Sequence, residues 1–314
     1  MRKQNKTVIG VIGLGYVGLP LLLLINKKFK VYGFDIDKKK IEQLKKNQSY
    51  ISDISNKEII SIKNKYFFNL RNSLNKISEC NFLILCLPTP LKNKNPDMSY
   101  VKNAFKTIFP YLKKNQTLVL ESSVYPGATE EIFVKKLCKK FKIGKNFFLA
   151  YSPERIDPGK PISTKKLDYQ NITKLVAGYT IKCERKILKL YSSIFKNIYL
   201  CKSIMVAETS KIFENIFRAV NIGLVNEMKI LTDKMKINIH DVVEAAGSKP
   251  FGFKKFSPGP GVGGHCIPID PIFMKWVAKK YKYKTKFIDL GSKMNIQVTN
   301  WTINKIKKLI KSKK

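Results

Sequence analysis

Arginine is scarce in a chain whose charge would suggest the opposite. The 314 residues carry 60 Lys+Arg against 22 Asp+Glu, a formal net charge of +38, yet only Arg2, Arg71, Arg155, Arg185 and Arg218 are arginines. Surfaces that read phosphates and base edges favour the bidentate guanidinium fork, so this charge does not by itself make a nucleic-acid binder. The lysines are scattered through every segment among abundant Ile and Asn, the pattern that A/T-rich codons produce at solvated positions. Short runs such as Lys38 to Lys40 and Lys311 to Lys314 fit that reading.

Histidine is nearly absent. Two histidines, His240 and His265, and six cysteines without a C-x-x-C pair cannot supply an ordinary zinc site, so no metal is expected. Cys80, Cys86, Cys138, Cys183 and Cys201 lie in strand or helix patterns and read as small buried hydrophobes. Unpaired cysteines fit a reducing cytoplasm. A long hydrophobic run is missing as well. The basic N-terminus ahead of Val8 to Ile25 imitates a signal peptide, but four glycines and Pro20 interrupt the stretch and no A-x-A cleavage site follows. Nothing later approaches the ~20 apolar residues of a spanning helix, and no membrane partner is expected.

The composition, 44% hydrophobic and 26% charged, is that of a globular protein, and the length suffices for two cores. Thr7 to Ile12 is a β-branched run, a helical stretch follows to Lys28, and Lys30 to Asp35 is a second strand: a βαβ unit. Apolar runs at Asn81 to Leu87, Thr117 to Glu121, Phe147 to Tyr151 and Leu175 to Gly178 alternate with helix-period stretches at Ser99 to Lys113, Ala128 to Lys140 and Ile181 to Phe195. Alternation of this kind predicts an α/β fold, a doubly wound, mostly parallel sheet with helices on both faces. From Ser203 onward no strand is expected. Ile204 to Met235 reads as one long helix with an apolar stripe at Ile212, Ile216, Ala219, Gly223 and Val225 to Met228, a hinge or dimer interface. A short helix near His240 to Ala246, a Gly/Pro/Phe-rich loop at Lys249 to Pro268, and helices over Pro271 to Lys280 and Phe287 to Lys311 complete an all-helical second domain. The expected division is 1–202 and 203–314.

Four motifs carry chemistry. Gly13-Leu14-Gly15-Tyr16-Val17-Gly18 follows a strand and opens a helix, with Asp35 ending the next strand 22 residues past Gly13. In that context the glycines admit a tight turn and close approach to a pyrophosphate, and the carboxylate accepts from a ribose hydroxyl, a Rossmann-like dinucleotide site. Asp35 favours NAD over NADP; Asp37-Lys38 beside it keeps the alternative open. Lys211 and Asn215 stand i, i+4 on one helix face and together suit an oxyanion, although a solvated face is the alternative. Cys266, in Gly261-Val262-Gly263-Gly264-His265-Cys266-Ile267-Pro268-Ile269-Asp270, leads into a helix start, where a thiol pKa falls and a nucleophile results. His265 reads as a structural or substrate contact, and His240 as a helix-start residue. Ser152-Pro153-Glu154-Arg155-Ile156-Asp157-Pro158-Gly159 follows a sheet strand, which makes Glu154 a candidate general base, with an exposed loop carboxylate as the alternative.

Together with Leu87-Pro88-Thr89-Pro90-Leu91 and Ser122-Ser123-Val124-Tyr125-Pro126-Gly127, these motifs resemble the UDP-glucose/GDP-mannose dehydrogenase family, along essentially the whole chain. Phe217-Arg218-Ala219-Val220-Asn221-Ile222, Lys249-Pro250-Phe251-Gly252-Phe253 and Pro258-Gly259-Pro260-Gly261 look most like the branch oxidising UDP-N-acetylglucosamine, with the UDP-N-acetylmannosamine and UDP-glucose branches as competitors. The resemblance implies oxidation of the sugar C6 alcohol to a carboxylate with two NAD. It implies NAD contacts at Gly13, Gly15, Tyr16, Val17, Gly18, Asp35, Thr89 and Ser123. Catalytic roles fall to Cys266, Lys211, Asn215, Asp270 and Glu154, and UDP-sugar contacts to Arg155, Arg218, Phe251, Gly252, Phe253, Gly259, Gly261, Gly263 and His265. Ser123 replaces the threonine usual in UDP-glucose enzymes and keeps the hydroxyl. Pro158 stands where those enzymes carry a second glutamate, a pattern that suits the N-acetyl branch.

The family normally continues into a C-terminal UDP-binding domain, and this sequence stops at Lys314, before it. One expectation is a homodimeric enzyme working with that domain supplied by another chain; the other is a non-catalytic NAD-binding remnant. The lysine-rich surface generates its own prediction. On immobilised duplex DNA the protein should elute below ~150 mM salt, because a phosphate-reading surface would hold on there; retention at that ionic strength would reinstate nucleic acid as a partner.

Overall fold

A computed structural model describes residues 7–62, 66–155, 172–264 and 267–312. The chain divides into two compact units, residues 1–90 with 97–211 and residues 91–96 with 212–314.

The first unit is built on eight strands. β1 (Val8–Ile12), β2 (Lys30–Asp35), β3 (Tyr66–Asn69) and β4 (Phe82–Leu85) precede a two-stranded hairpin, β5 (Leu91–Lys92) and β6 (Asn95–Pro96), which belongs to the second unit. β7 (Thr117–Leu120), β8 (Phe148–Tyr151), β9 (Lys174–Gly178) and β10 (Ile198–Leu200) follow. The sheet order is β10-β9-β8-β7-β4-β1-β2-β3, parallel throughout except for the antiparallel β8–β9 pair. The Val- and Leu-rich central strands are buried on both faces, as a helix-covered parallel sheet requires.

The helices of this unit are α1 (Gly18–Asn26), α2 (Lys38–Lys45), α3 (Asn56–Ile60), α4 (Ser99–Ile108), α5 (Ala128–Leu137) and α6 (Ile181–Tyr191). α1 is apolar nearly all round and lies in the core. Two strands of the eight-stranded sheet escape the sequence pattern, as do the short β5 and β6. β10 is three residues long and largely exposed, and β3 is a four-residue edge strand with one fully buried side chain, Phe67. Lys38 to Lys40 forms the solvated first turn of α2, with Lys38 and Lys39 exposed and Asp37 accepting from the Lys39 and Lys40 amides. Cys138, expected to be buried, is exposed just past α5.

α7 (Ile204–Lys234) runs 31 residues, about 46 Å, and passes from the first unit into the second. α8 (Ile239–Ala246), α9 (Asp270–Lys280) and α10 (Lys286–Lys311) complete the helical unit. Ile212, Asn215, Ile216, Ala219, Gly223 and Asn226 form the buried stripe of α7, whereas Met228, expected in it, is exposed. Gly223 and Gly291 let α7 and α10 touch backbone to backbone: a Cβ on Gly223 would sit 3.0 Å from the Gly291 carbonyl oxygen. The contact is held by Asn295, which donates to the Ala219 carbonyl at 2.9 Å and accepts from Asn226 at 3.2 Å. Among the described residues no helix is long and apolar enough to cross a membrane.

Within the first unit, α7 is fastened by Glu208. Its carboxylate, wholly buried, accepts from the Gly127 amide at 2.6 Å and the Thr129 amide at 2.9 Å, at the N-terminus of α5. An acid at that end complements the helix dipole. Burial nevertheless outweighs these hydrogen bonds and pushes the Glu208 carboxyl up to about 7. The folded chain then holds a proton that the unfolded chain, near 4.5, has released. The stability this group adds is complete below about 4.5 and is lost as pH rises through about 7. In thermal melts from pH 5 to 8, Glu208→Gln is expected to lower the midpoint, because one amide loses its acceptor, and to flatten the pH slope; a slope unchanged from the parent would rule out Glu208 as its source.

Candidate active site

The Gly13–Gly18 turn is shaped by the absence of side chains. Gly13 has φ +92°, and a Cβ there would lie 2.3 Å from the Cys86 carbonyl oxygen; one on Gly18 would lie 1.8 Å from the Gly13 oxygen. Gly15 has the opposite surroundings, with nothing within 4 Å of its Cβ direction. The turn therefore leaves an open backbone surface at the N-terminus of α1, whose first turn carries no acidic residue, and a pyrophosphate fits that chemistry. Tyr16 projects into solvent beside it, and Val17 is half-buried.

Asp35 does more than await a ribose. Its Oδ2 accepts from the Leu14 amide and its Oδ1 from the Asp37 amide, both at 2.9 Å, so the carboxylate braces the turn while two oxygens with several lone pairs retain capacity for a hydroxyl. Asp37 is occupied in capping α2. Tyr50, which the sequence reading missed, donates to the Leu14 carbonyl at 2.5 Å from the other side. Burial, then Asp35 and Asp37, push its hydroxyl well upward, so it stays protonated as a donor.

The neighbouring strand ends are tied to one another. The Leu87 amide donates to Ser122 Oγ at 2.8 Å and Thr89 Oγ1 to the Ser123 carbonyl at 2.6 Å, which joins two of the expected cofactor contacts after β4 and β7. Glu154, after β8, is 8% exposed and thus not a free loop carboxylate. It accepts from the Arg155 amide at 2.7 Å and faces the Lys174 ammonium at 3.7 Å. Arg155 itself donates to the Thr173 carbonyl. Asp157 and Pro158 lie outside the described residues.

Lys211, 6% exposed, is buried on α7 rather than solvated. One turn on, in the second unit, Asn215 Nδ2 donates to Asp270 Oδ2 at 2.6 Å, with both side chains buried. Asp270 opens α9 ahead of Pro271, which fixes where the loop must end. His265 and Cys266 lie outside the described residues. The loop before them is moored to the helices: the Gly259 amide donates to Asn226 at 2.9 Å, and Thr299 Oγ1 donates to the Pro260 carbonyl at 2.6 Å. Gly261 has φ +134°, and Gly263 faces open space. Phe251, Gly252 and Phe253 are exposed, and Arg218 is half-buried. A cavity of about 360 Å³ in the helical unit, walled by Lys229, His240 and Trp301, holds none of the expected site residues.

Comparison with known proteins matches residues 7–198 to the NAD binding domain, and 205–297 to the central domain, of the UDP-glucose/GDP-mannose dehydrogenase family. The chain is 37% identical to Protein CapL of Staphylococcus aureus over 96% of its own length and 70% of that protein's. It is 37% identical to a UDP-N-acetyl-D-glucosamine 6-dehydrogenase of Salmonella typhi, over 98% and 71% respectively. Among solved structures, a UDP-D-ManNAc dehydrogenase from Pyrococcus horikoshii superposes with TM-score 0.88 at 27% identity, covering 98% of this chain and 72% of that one. The chain belongs to the UDP-glucose/GDP-mannose dehydrogenase family, as an NAD-dependent oxidoreductase.

Proposed function

We propose that the chain oxidises the C6 alcohol of UDP-N-acetylglucosamine to the uronic acid, in two NAD-dependent steps that share one thiol, and so provides a glycan precursor in the cytoplasm. The observation that carries this reading is the buried Asn215–Asp270 hydrogen bond, which sets an amide donor and a carboxylate together where the Cys266 loop runs into α9. The substrate rests on the 37% identity to UDP-N-acetyl-D-glucosamine 6-dehydrogenase and on the Phe251–Phe253 and Pro258–Gly261 segments. UDP-N-acetylmannosamine is the second reading, favoured by the TM-score of 0.88.

On this reading residues 1–202 serve the cofactor and 203–314 the sugar. The Gly13–Gly18 turn and Asp35 would hold NAD, which when bound would serve as hydride acceptor, two NAD being consumed per sugar. Asp270 holds the water that accepts the hydroxyl proton, with Lys211 nearby. The Cys266 thiolate adds to the aldehyde, and Lys211 with Asn215 stabilises the oxyanion of the thiohemiacetal. Glu154 activates the water that hydrolyses the ensuing thioester to acid. Arg155, Arg218, Phe251, Gly252, Phe253, Gly259, Gly261, Gly263 and His265 contact the UDP-sugar. The exposed row Phe213, Phe217, Leu224, Met228 and Leu231 along α7 is the face of a homodimer.

With UDP-N-acetylglucosamine and NAD, the 314-residue protein is expected to form NADH and uronic acid in a 2:1 ratio, faster than with UDP-N-acetylmannosamine. Cys266→Ser should cut acid formation by roughly 10³-fold or more, and normal acid formation would remove Cys266 from the nucleophile role. NAD binding without turnover, alone or with a UDP-binding domain added in trans, would instead leave a non-catalytic NAD-binding module. Sedimentation should give a dimer that Leu224→Glu converts to monomer; a monomeric parent would refute the α7 interface.

A further inference from the structure

Behind Glu154 lies a buried ionic cluster that none of these roles uses. Glu121, at the end of β7, is 0% exposed. Its Oε2 receives the Lys174 ammonium at 2.5 Å and its Oε1 receives the Tyr191 hydroxyl from α6. Lys174, the first residue of β9, also donates to the Pro153 carbonyl at 3.2 Å, stands 3.7 Å from Glu154 Oε2 and lies over the Phe195 ring at 5.5 Å. The Cys86 thiol completes the surroundings. Burial first, then the Glu121 charge, push both Cys86 and Tyr191 far upward, so both stay neutral.

Two carboxylates therefore share one ammonium in a dry interior. Fully ionised, the cluster carries a net negative charge; with one proton added it is neutral, and a low-dielectric site favours neutrality. Burial favours the proton on Glu121, whose carboxyl rises to about 7 against the pull of Lys174. Burial alone would lower the Lys174 ammonium, but Glu121 and Glu154 together outweigh it, and Lys174 remains charged.

Resting on the reading of Glu154 as the hydrolytic base, we infer that Glu121 and Lys174 are its positioning pair: Lys174, anchored by Glu121 and the Pro153 carbonyl, orients the Glu154 carboxylate. With Glu121 neutral, the Lys174 ammonium turns its attraction on the Glu154 carboxylate 3.7 Å away. Once Glu121 ionises, it takes up that positive charge and the hold on Glu154 loosens. Thioester hydrolysis then changes with pH through about 7, the value to which Glu121 is pushed.

The test follows the Glu carboxyl carbons by NMR in the full chain labelled with ¹³C-glutamate, from pH 5 to 9, which needs no turnover. Two Glu resonances should titrate near pH 7, one missing in Glu208→Gln and the other in Glu121→Gln. The Glu154 resonance, identified by its loss in Glu154→Gln, should shift at the Glu121 midpoint, a response that Glu121→Gln abolishes. Lys174→Met should raise that midpoint by about one unit or more, and Lys174→Arg should leave it near 7, which keeps the test available if the methionine variant unfolds. A Glu154 resonance indifferent to Glu121→Gln, or a midpoint unmoved in Lys174→Met, would overturn the inference. Normal acid formation by Glu154→Gln would overturn the base role alone, with the measured coupling intact. In the assay, the limb near pH 7 in acid formation should vanish in Glu121→Gln, a change that a merely structural defect would not produce.

Discussion

Where β1 turns into α1, three backbone segments meet with no room for a side chain. Gly13 presses on the Cys86 carbonyl and Gly18 on Gly13, and Asp35 and Tyr50 brace the turn from two sides. That closeness fixes the end of β4 against the end of β1. The tie continues outward, from Leu87 to Ser122 and from Thr89 to Ser123, so that four strand ends form one edge rather than four loops. In doubly wound sheets this edge is where ligands bind, because the helices begin there and offer free amides. The cofactor surface and Glu154 are both consequences of it.

The interior of this lysine-rich chain is acidic. Asp35, Glu121, Glu154, Glu208 and Asp270 are all buried, and each is engaged with amides, an ammonium or a side-chain amide. Buried acids cost free energy unless satisfied, so their survival in the core marks positions with a task. Glu208 ties a helix down, Asp35 shapes a turn, and the Glu121–Lys174 pair lies behind a loop that ends a strand.

Much of this was legible in the residues. Gly13 to Gly18 with Asp35 announced the tight turn into α1 because steric exclusion and spacing are written into glycine and chain length, and Asp270 announced the α9 start through Pro271. The strand runs of the sheet centre were visible because burial on both faces makes them uniformly apolar. What escaped was whatever depends on distant partners. Glu121 looked like the polar end of a strand and Lys174 like one more lysine; only the pairing of β7, β8 and β9 makes them neighbours. Asn226 and Asn295 were hidden for the same reason, although an asparagine on an apolar helix stripe is a signal that could have been used. β3 was too short for a period to show, and β10 was both too short and largely exposed.

Among the described lysines, Lys174 and Lys211 are the ones in the buried class. The surface lysines are interchangeable with any solvated residue, so base composition can drift there at little cost in stability. At Lys174 it cannot, since asparagine would leave the buried Glu121 and Glu154 carboxylates unmatched. The abundance that makes lysine uninformative across this sequence thus conceals one position where its charge is a structural requirement, and a reader counting residue types would rank it last.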